Sequence, residues 1–550
     1  MSCRVVSCHG IASHSAVLVY PPSLDYMVAF LACLKAGIVA VPVFPPNPAR
    51  RDTLDMFSRI VGGCGARHAL TSSSYNHMKK LAGIKEAFGR FQRKPTAWPE
   101  GLDWIVTNDD NSSSSSNTSK LSFVPSRSDV AFLQYTSGST SAPKGVMITH
   151  GNLAHNLTII TAELEAVDDT VVVSWLPQYH DMGLIGSYLG CLYCGGSGYY
   201  LSPLTFLQRP MLWLEAVSKY KATHLQAPNF AFKLTARKCN ANDYTVDSLD
   251  LSSVRHVINA AEPVTEDSIE AFQTKFGPFG FKETSMFPTY GLAEHTVFVC
   301  SGGTQRVTVN KQELEVNGKV VEVTGNDDTG TNDASLTSRL IGCGYPSRQG
   351  VDVRIVDRES CQQLPEGSVG EIWVNSSSKA AGYFGKPDES KEDFHGHLAG
   401  ESGNGGYLRT GDLGFLHNDE LFICGRLKDL IIVAGRNYYP QDVEYTAEAS
   451  SGLLRPGCSA AFTIDPTRDD GEEVALVAEM KEVPPQSVSW FLVLLTVATI
   501  VCGYMYGCMY GWMDGCLRFI NLSLHTQLSL SPLFFLLLFM NRNYNGLATS

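Results

Sequence analysis

A helical segment followed by a short β-rich segment near the start of the chain restricts its fold most. Residues 26–37 read YMVAFLACLKAG, with apolar residues at helical spacing, and residues 38–44 read IVAVPVF before a proline-rich turn. This alternation is typical of layered α/β proteins with parallel sheets. Because 550 residues are too many for one compact core, we expect about three or four folding units.

Three further stretches indicate how the main body is organised. Residues 108–120 form a polar low-complexity run that predicts a surface loop between two subdomains. Between about 302 and 340, alternating β-type residues and an Asn-Gly pair predict a hairpin inserted into the α/β body. From residue 351 onward, VDVRIVD, GSVGEIWVNS and ELFICGR predict short strands of a β-rich subdomain.

After residue 487 the composition of the chain changes to a long apolar stretch. Residues 488–513 contain no charged residue, and this stretch is longer than the ~20 residues needed for a transmembrane helix. Gly503, Gly507 and Gly511 repeat at the spacing that lets membrane helices approach closely. We therefore predict a transmembrane helix at 488–513, with the main body in the cytoplasm, and a tail at 514–550.

Charge and cysteine content narrow the class of protein. The net charge of −12 is spread along the chain without a basic run, which argues against nucleic acid as a partner. Fifteen cysteines without regular spacing indicate reduced thiols in the cytosol rather than a disulfide framework. Cys191 and Cys194 form a CxxC pair, which we interpret as buried small residues in preference to a zinc or redox pair.

The most specific chemical signal is the loop YTSGSTSAPKGV at residues 135–146, directly after the apolar run VAFLQY. Glycines let backbone N–H groups approach phosphate oxygens, hydroxyl groups donate further hydrogen bonds, and Lys144 supplies charge. A Walker loop would place the lysine after the second glycine and before Ser or Thr, so a P-loop NTPase is excluded. A mobile Ser/Thr loop without a ligand is the alternative that composition alone leaves open.

This loop resembles the phosphate loop of the adenylate-forming (AMP-binding) acyl, aryl and aminoacyl ligases. Further motifs of that superfamily follow in the same order: SWLPQYHDMGLIG (174–186), APNFAF (227–232), NAAEPV (259–264), TYGLAEHTVFV (289–299), GEIWVNSSSKAAGYFGKP (370–387) and YLRTGDLGFLHNDELFICGRLKDLIIVAGRNYYPQDVE (407–444). The residues of these motifs are most similar to those of the fatty acyl-AMP ligases, above all in GRNYYPQDVE.

The resemblance implies that ATP activates a fatty acid, of long chain in our reading, to acyl-AMP, followed by transfer to the thiol of a carrier protein. Two alternatives stay open: a long-chain fatty acid CoA ligase of the same fold, and a non-catalytic adenylate-binding or lipid-binding protein at a membrane. The cofactors implied are ATP and Mg²⁺.

The resemblance also implies roles for individual residues. Thr136, Ser137, Gly138, Ser139, Thr140 and Lys144 would hold the phosphates, and Glu294, together with Thr140, would hold Mg²⁺. Tyr290 and Gly291 would lie on one side of the adenine, with Ala260, Ala261 and Glu262 on the other. Asp412 would accept from both ribose hydroxyls, and Arg426 would reach the ribose and α-phosphate. His180 would lie at the mouth of the acyl pocket, and Lys428 at the hinge of the small domain.

The domain boundaries expected from the resemblance are an AMP-binding N-terminal domain at 1–425 and a small α+β C-terminal domain at 426–483. We expect the small domain to be incomplete, because similarity ceases near Pro484. Relatives adenylate with a lysine near the end of this domain, whereas no lysine follows Lys481 in these 550 residues. The sequence therefore predicts ATP binding with impaired adenylation.

Overall fold

A computed structural model describes residues 15–48, 50–88, 98–108, 123–136, 143–245, 247–323, 337–401, 406–433, 436–464, 473–481, 517–518 and 535–540. Two six-stranded sheets and two four-stranded antiparallel sheets, the second of them C-terminal, form its framework. The predicted α/β class is confirmed, including the helix and strand at the start of the chain.

The first sheet has the strand order β4-β3-β1-β2-β5-β6. Its strands are β1 Ser15–Val19, β2 Val39–Pro42, β3 His68–Thr71, β4 Asp103–Val106, β5 Val130–Thr136 and β6 Lys144–Thr149. All neighbouring pairs are parallel except β5 and β6, which form an antiparallel hairpin. The helices that accompany it are α1 Leu24–Ala36, α2 Arg51–Cys64, α3 Ser73–Phe88 and α4 His150–Glu163.

The second sheet has the order β12-β11-β10-β9-β7-β8 and is parallel except for the short strand β12. Its strands are β7 Val171–Ser174, β8 Ser197–Tyr200, β9 His224–Pro228, β10 His256–Ala260, β11 Met286–Tyr290 and β12 Cys300–Ser301. The connecting helices are a π-helix Met182–Leu189, α5 Gly190–Tyr193, α6 Pro203–Gln208, α7 Met211–Tyr220, α8 Asn229–Lys238 and α9 Glu266–Phe276. Because β9, β10 and β11 are parallel, their carboxyl ends lie at one edge of the sheet.

The β-rich subdomain predicted from residue 351 onward is present. Its antiparallel strands are β15 Asp352–Val356, β16 Gly370–Asn375, β17 Leu408–His417 and β18 Glu420–Arg426, with helix α11 Pro387–Phe394 between β16 and β17. Ahead of it, β13 Arg306–Asn310 pairs antiparallel with β14 Thr337–Ile341, and helix α10 Lys311–Asn317 follows β13. Two strands of the predicted hairpin therefore exist, but the Asn-Gly turn was wrong: Gly318, at φ 59°, ends α10.

The C-terminal part contains the two-stranded pair β19 Ile431–Val433 and β20 Arg436–Tyr438, then helix α12 Pro440–Ser450. A four-stranded sheet follows with the order β21-β22-β24-β23, made of β21 Leu454–Ile464, β22 Glu473–Met480, β23 Leu517–Arg518 and β24 Phe535–Met540. Strand β24 pairs antiparallel along β22. Two strands of this sheet, β23 and β24, thus come from the stretch 514–550, which the sequence predicts to be a tail.

Short 3-10 turns complete the described structure: Ala241–Asp243, Gly277–Phe279, Glu283–Ser285, Ala293–His295, Pro346–Gln349 and Leu427–Asp429. The largest core lies between the first two sheets and their helices, and contains the fully buried Phe132, Trp213 and Phe272. Burial of such aromatic side chains supplies a large share of the free energy that stabilises the body.

Two sequence predictions fall largely on residues outside the described ranges. The polar loop at 108–120 lies there except for Asn108, and the predicted transmembrane segment 488–513 lies there entirely. Among the helices that the described residues form, none combines the length and the apolar character needed to cross a membrane.

Candidate active site

A cavity of about 720 Å³ lies where the first two sheets meet the β-rich subdomain. The hairpin β5–β6 supplies one side, the carboxyl ends of β9 and β10 supply another, and β17 with the turn after β18 supplies the third. Predicted site residues that line it are Thr136, Lys144, His180, Ala260, Ala261, Gly291, Glu294, Asp412, Arg426 and Lys428. The sequence motifs, although spread over nearly 300 residues, thus converge on one space.

Glu294 belongs to a wall that is fixed by backbone contacts. It lies in the 3-10 turn Ala293–His295, and its carbonyl accepts from the N–H of Ala380 at 3.0 Å. The buried His295 contacts the carbonyl of Phe298 and the hydroxyl of Ser376, each at 2.7 Å. Burial raises the pKa of the Glu294 carboxyl group, and nearby Asp412 and Asp181 raise it further. A carboxylate placed among others in this way favours a cation beside it.

Helix α4 ties the same wall to the first sheet. Thr149 and Asn152 form a capping box at its start, in which each side chain binds the other residue's backbone N–H. The Asn152 side-chain amide also donates to the carbonyls of Ser377 and Lys379, at 2.9 and 2.8 Å. One capping residue therefore holds both the helix and the segment that supports Glu294.

Lys144 is held by ion pairs instead. It begins β6, and its ammonium lies 2.7 Å from Glu389 Oε2 and 3.7 Å from Asp393 Oδ2, both carried by α11. The ammonium also lies 4.4 Å from the centre of the Tyr383 ring. Partial burial alone would lower the pKa of Lys144, but the carboxylates of Glu389, Asp393 and Glu294 outweigh it and raise the pKa. Lys144 therefore stays charged and faces the cavity.

Asp412 and Arg426 are cross-strand partners on β17 and β18. Arg426 Nε lies 3.3 Å from Asp412 Oδ1, and the hydroxyl of Tyr290 donates to Asp412 Oδ2 at 2.7 Å. Burial raises the pKa of Asp412, and the charge of Arg426, the Tyr290 hydrogen bond and Lys428 act in the opposite direction. Each carboxylate oxygen has a protein partner and a second lone pair that can accept from a ligand.

His180 and Asp181 form an ion pair ahead of the π-helix. His180 Nδ1 lies 2.7 Å from Asp181 Oδ1, and this carboxylate raises the pKa of the histidine. The His180 side chain is 55% exposed, so it borders the cavity without being part of the core. A π-helix directly after it is a feature that often marks functional sites.

Two unusual backbone positions lie at the site. Ala261 has φ 68° and follows the carboxyl end of β10, and Thr296 has φ 69° two residues after Glu294. A Cβ on Gly291 would stand 1.8 Å from the carbonyl oxygen of Val297, so this position accepts glycine alone. Non-glycine residues with positive φ cost free energy and cluster at ligand sites.

Some predicted residues lie elsewhere. Tyr290 is 7% exposed and does not line the cavity, because its hydroxyl is used by Asp412 and its ring packs in the core of the β-rich subdomain. Glu262 does not line it either, and its carboxylate accepts from the N–H of Phe230. These two residues therefore lie outside the lining of the cavity, and their placement against the adenine stays a prediction. Ser137, Gly138, Ser139 and Thr140 lie outside the described residues.

Sequence reasoning missed several residues that line the cavity. Tyr383 lies within the motif at residues 370–387, but the family resemblance assigned it no role. Asp393 stands four residues after Glu389 on α11, a spacing that places both carboxylates on one helix face. That spacing, directly after the GYFGKP stretch, was an available signal for a partner of Lys144.

The cysteines that the structure describes are free thiols. Cys191 is buried, and the thiol of Cys194 donates to its carbonyl at 3.3 Å. Within the described ranges, the His, Cys, Asp and Glu side chains form no group of three or more that could hold a metal ion. A single carboxylate such as Glu294 would need ligand oxygens to complete the coordination of a cation.

Comparison with known proteins decides the family. The sequence pattern of the family described as AMP-binding enzyme matches residues 5–384. This chain belongs to the AMP-binding enzyme family. Among the curated members, the chain is 39% identical over 473 residues to the medium-chain-fatty-acid–[acyl-carrier-protein] ligase JamA of Moorena producens (strain JHB), covering 85% of this chain and 76% of the relative.

Other relatives of this AMP-binding enzyme agree with that result. It is 35% identical over 461 residues to the long-chain-fatty-acid–AMP ligase FadD32 of Mycolicibacterium smegmatis, covering 81% of this chain and 69% of FadD32. Among solved structures, a fatty acyl-adenylate ligase from L. pneumophila in complex with acyl adenylate and pyrophosphate matches with a TM-score of 0.67. That match has 33% identity and covers 92% of this chain and 83% of the other. The resemblance drawn from the motifs is confirmed.

Proposed function

We propose that this AMP-binding enzyme activates a fatty acid with ATP and transfers the acyl group to the thiol of a carrier protein. The observation that supports it most is the single cavity lined by Lys144, Glu294 and Asp412 together with apolar residues. Those apolar residues are Val43, Phe44, Met56, Ile60, Ile160, Met182, Ile258, Val297 and Phe298. A polar end with charges and an apolar wall suit a nucleotide and an alkyl chain respectively.

In the first step a carboxylate oxygen of the fatty acid attacks the α-phosphorus of ATP. The bond from that phosphorus to the bridging oxygen breaks, and pyrophosphate leaves with the electron pair. Lys144 stabilises the negative charge at the leaving group, assisted by the loop that includes Thr136. Asp412 accepts from the ribose hydroxyls through its remaining lone pairs, and Arg426 lies beside it.

The residues present also suit Mg²⁺. Glu294 offers a hard oxygen donor, its pKa is raised by burial and by neighbouring carboxylates, and added positive charge would relieve that repulsion. When bound there, Mg²⁺ would supply charge neutralisation between the phosphates and Glu294. Thr140, the second proposed ligand, lies outside the described residues.

In the second step a carrier-protein thiolate attacks the acyl carbonyl, and AMP leaves. Lys428, in the 3-10 turn Leu427–Asp429 after β18, lines the cavity and takes the role of hinge between the two steps. The relatives JamA and FadD32 are a ligase to an acyl carrier protein and a ligase to AMP by name, which favours this acceptor over coenzyme A.

The test incubates the protein with radiolabelled fatty acid and ATP, together with either a carrier protein bearing its phosphopantetheine thiol or coenzyme A. We expect pyrophosphate release, labelled acyl-AMP and labelled carrier protein. Appreciable acyl-CoA would favour the coenzyme A ligase instead. Nucleotide binding without pyrophosphate release would contradict the proposal and favour the non-catalytic alternative.

A membrane anchor at 488–513 is a separate proposal that rests on the sequence alone, and it competes with the pairing of β24 and β22. A helix that crosses the membrane once would place residues 535–540 on the side opposite residues 474–479, so the two arrangements exclude each other. The length of the anchor without charged residues exceeds ~20 residues, and its glycines repeat at four-residue intervals. Fractionation of cells that express the protein tests it, since the proposal requires the protein in the membrane fraction and the AMP-binding body in the cytoplasm. Recovery in the supernatant without detergent would contradict the anchor but not the enzymatic proposal.

A further inference from the structure

Tyr383 lies between the two residues to which we assign phosphate and cation binding. Its hydroxyl donates to Glu294 Oε1 at 3.1 Å, and its ring faces the ammonium of Lys144 at 4.4 Å. The side chain is 6% exposed and lines the cavity. One side chain thus contacts both candidate catalytic groups, which come from segments 150 residues apart.

The position of Tyr383 is fixed from several directions. Its backbone N–H donates to the Ser390 hydroxyl at 2.8 Å, and its ring meets Phe394 edge-on with the centres 5.1 Å apart. The segment around it pairs with β6, since Met147 N donates to Gly382 O and Phe384 N donates to Gly145 O, each at 2.8 Å. The strand that carries Lys144 therefore also sets the place of the tyrosine.

The chemistry of Tyr383 suits the holding of a carboxylate. An ionised carboxylate only accepts hydrogen bonds, so the Tyr383 hydroxyl is the donor in its contact with Glu294. A donor on one oxygen of Glu294 fixes the orientation of the whole carboxylate, as supporting residues do for metal ligands in general.

We propose that Tyr383 is a positioning residue for adenylation, which orients the Glu294 carboxylate toward the cation while its ring holds the Lys144 ammonium at a set distance. The inference rests on the proposed function for the roles of Glu294 and Lys144. Tyr383 itself transfers no proton and forms no bond to substrate in this assignment.

The decisive variant is Tyr383→Phe, which keeps the ring and its contacts with Lys144 and Phe394 and removes only the hydroxyl. Tyr407→Phe is the matched control, because the Tyr407 hydroxyl donates to Asp352 Oδ2 at 2.7 Å and neither residue lines the cavity. Binding of Mn²⁺ to each purified full-length protein, in the presence of a non-hydrolysable ATP analogue, is measured by electron paramagnetic resonance. Pyrophosphate formation is measured as a function of Mg²⁺ and of fatty acid concentration.

We expect Tyr383→Phe to weaken Mn²⁺ binding by roughly tenfold, since a hydrogen bond to a charged group is lost. The Mg²⁺ concentration for half-maximal rate should rise in proportion, while the KM for fatty acid stays within about twofold. Tyr407→Phe should change neither quantity. In a Glu294→Gln background, Tyr383→Phe should have no further effect on Mn²⁺ binding, because the tyrosine acts through that carboxylate.

The inference is overturned if folded Tyr383→Phe protein binds Mn²⁺ like the wild type, or if its loss persists undiminished in the Glu294→Gln background. An equal loss in Tyr407→Phe would also overturn it, since the effect would then be general destabilisation. Because Mn²⁺ binding does not require turnover, a wild-type protein that releases no pyrophosphate would contradict the proposed function while this measurement still decides the role of Tyr383.

Discussion

Glu294 and Lys144 face the same cavity but are held in opposite ways. The turn that carries Glu294 is fixed by backbone hydrogen bonds and by the fully buried His295, whereas Lys144 is held by the side chains of Glu389 and Asp393 on one exposed helix. Backbone contacts in a buried wall persist when a ligand enters. Ion pairs near solvent are worth little and can be exchanged for phosphate oxygens. The turn that carries Glu294 is therefore a preformed wall of the cavity, whereas the ion pairs of Lys144 with Glu389 and Asp393 form an exchangeable side.

The largest effect is expected from removing either catalytic candidate. Lys144→Ala and Glu294→Gln should each slow pyrophosphate release by about a hundredfold or more, as loss of one transition-state contact does elsewhere. Initial rates with fatty acid and saturating ATP measure this.

Lys386→Ala is the control for the lysine. Lys386 contacts the same Glu389, with its ammonium 2.6 Å from Oε1, but does not line the cavity. Its rate should stay within about twofold of wild type. Unchanged rates in Lys144→Ala or Glu294→Gln would remove that residue from the site.

A pH experiment tests whether the wall of Glu294 is as rigidly buried as its contacts indicate. Burial lowers the pKa of His295 to about 4, below the value of about 6.5 in an unfolded chain. As the pH falls below 6.5 the unfolded chain takes up this proton first, so the free energy of unfolding should decrease between about pH 6.5 and 4. Relative to His295→Gln, the wild type should lose about 2 kcal/mol more over this range, as measured by urea denaturation.

Other titrating groups are common to both proteins and cancel in that difference. The buried His224, whose pKa burial also lowers to about 4, is among them. Parallel stability profiles for wild type and His295→Gln would mean that His295 becomes protonated without unfolding, and that the wall is less closed than described.

Asp412 offers an intermediate case, with a buried carboxylate in contact with an exposed arginine. Asp412→Asn should raise the KM for ATP about tenfold, because one acceptor to the ribose and the partner of Arg426 are both weakened. Steady-state kinetics at fixed fatty acid concentration measure it.

Asp352→Asn is a close control for that variant. Asp352 also binds one tyrosine hydroxyl, that of Tyr407, and one arginine, Arg354, at 2.7 and 2.8 Å, yet it does not line the cavity. An equal rise in KM for both variants would assign the effect to the β-rich subdomain as a whole.

The smallest effect on ligand binding is expected from Glu389, which forms an ion pair with Lys144 on the exchangeable side of the cavity. Glu389→Gln removes a carboxylate that competes with phosphate for Lys144, so the affinity for a non-hydrolysable ATP analogue should rise by no more than about fivefold. Asp388→Asn, an exposed neighbour on the same helix that does not line the cavity, should leave it unchanged. Weaker binding in Glu389→Gln would show that this carboxylate orients Lys144 instead of competing for it.

The sequence predicted residues that lie in recognisable motifs, but it did not predict contacts between distant segments. Lys144, Glu294 and Asp412 lie in motifs with specific residues. They are carried by β6, by the turn after β11 and by β17, so three different sheets bring them to one cavity. The motif of Tyr290 does not reveal that its hydroxyl donates to Asp412, a residue 122 positions away. Tyr383 was missed for the same reason, since its value lies in contacts between distant segments.

Local sequence patterns predicted some elements of the fold correctly and left others ambiguous. The alternation of residues 26–44 predicted α1 and β2 because helix and strand periodicities are local. The Asn317-Gly318 pair fits a hairpin turn and a helix end alike, and only the following contacts decide between them. The apolar run PLFFLLLFM at residues 532–540 is too short to span a membrane by itself, and in the structure its residues 535–540 form β24 of a sheet.

The pairing of β22 with β24 sets an order for the synthesis of this protein. Residues 474–479 find partners in residues 535–540, so one neighbour of β22 is missing until the ribosome has released a further stretch of about 60 residues. During that interval only β21 covers β22, on its other side, and the exposed edge of β22 can pair with another nascent chain. Truncation of an expressed protein near residue 483 would make that interval permanent and should favour aggregation.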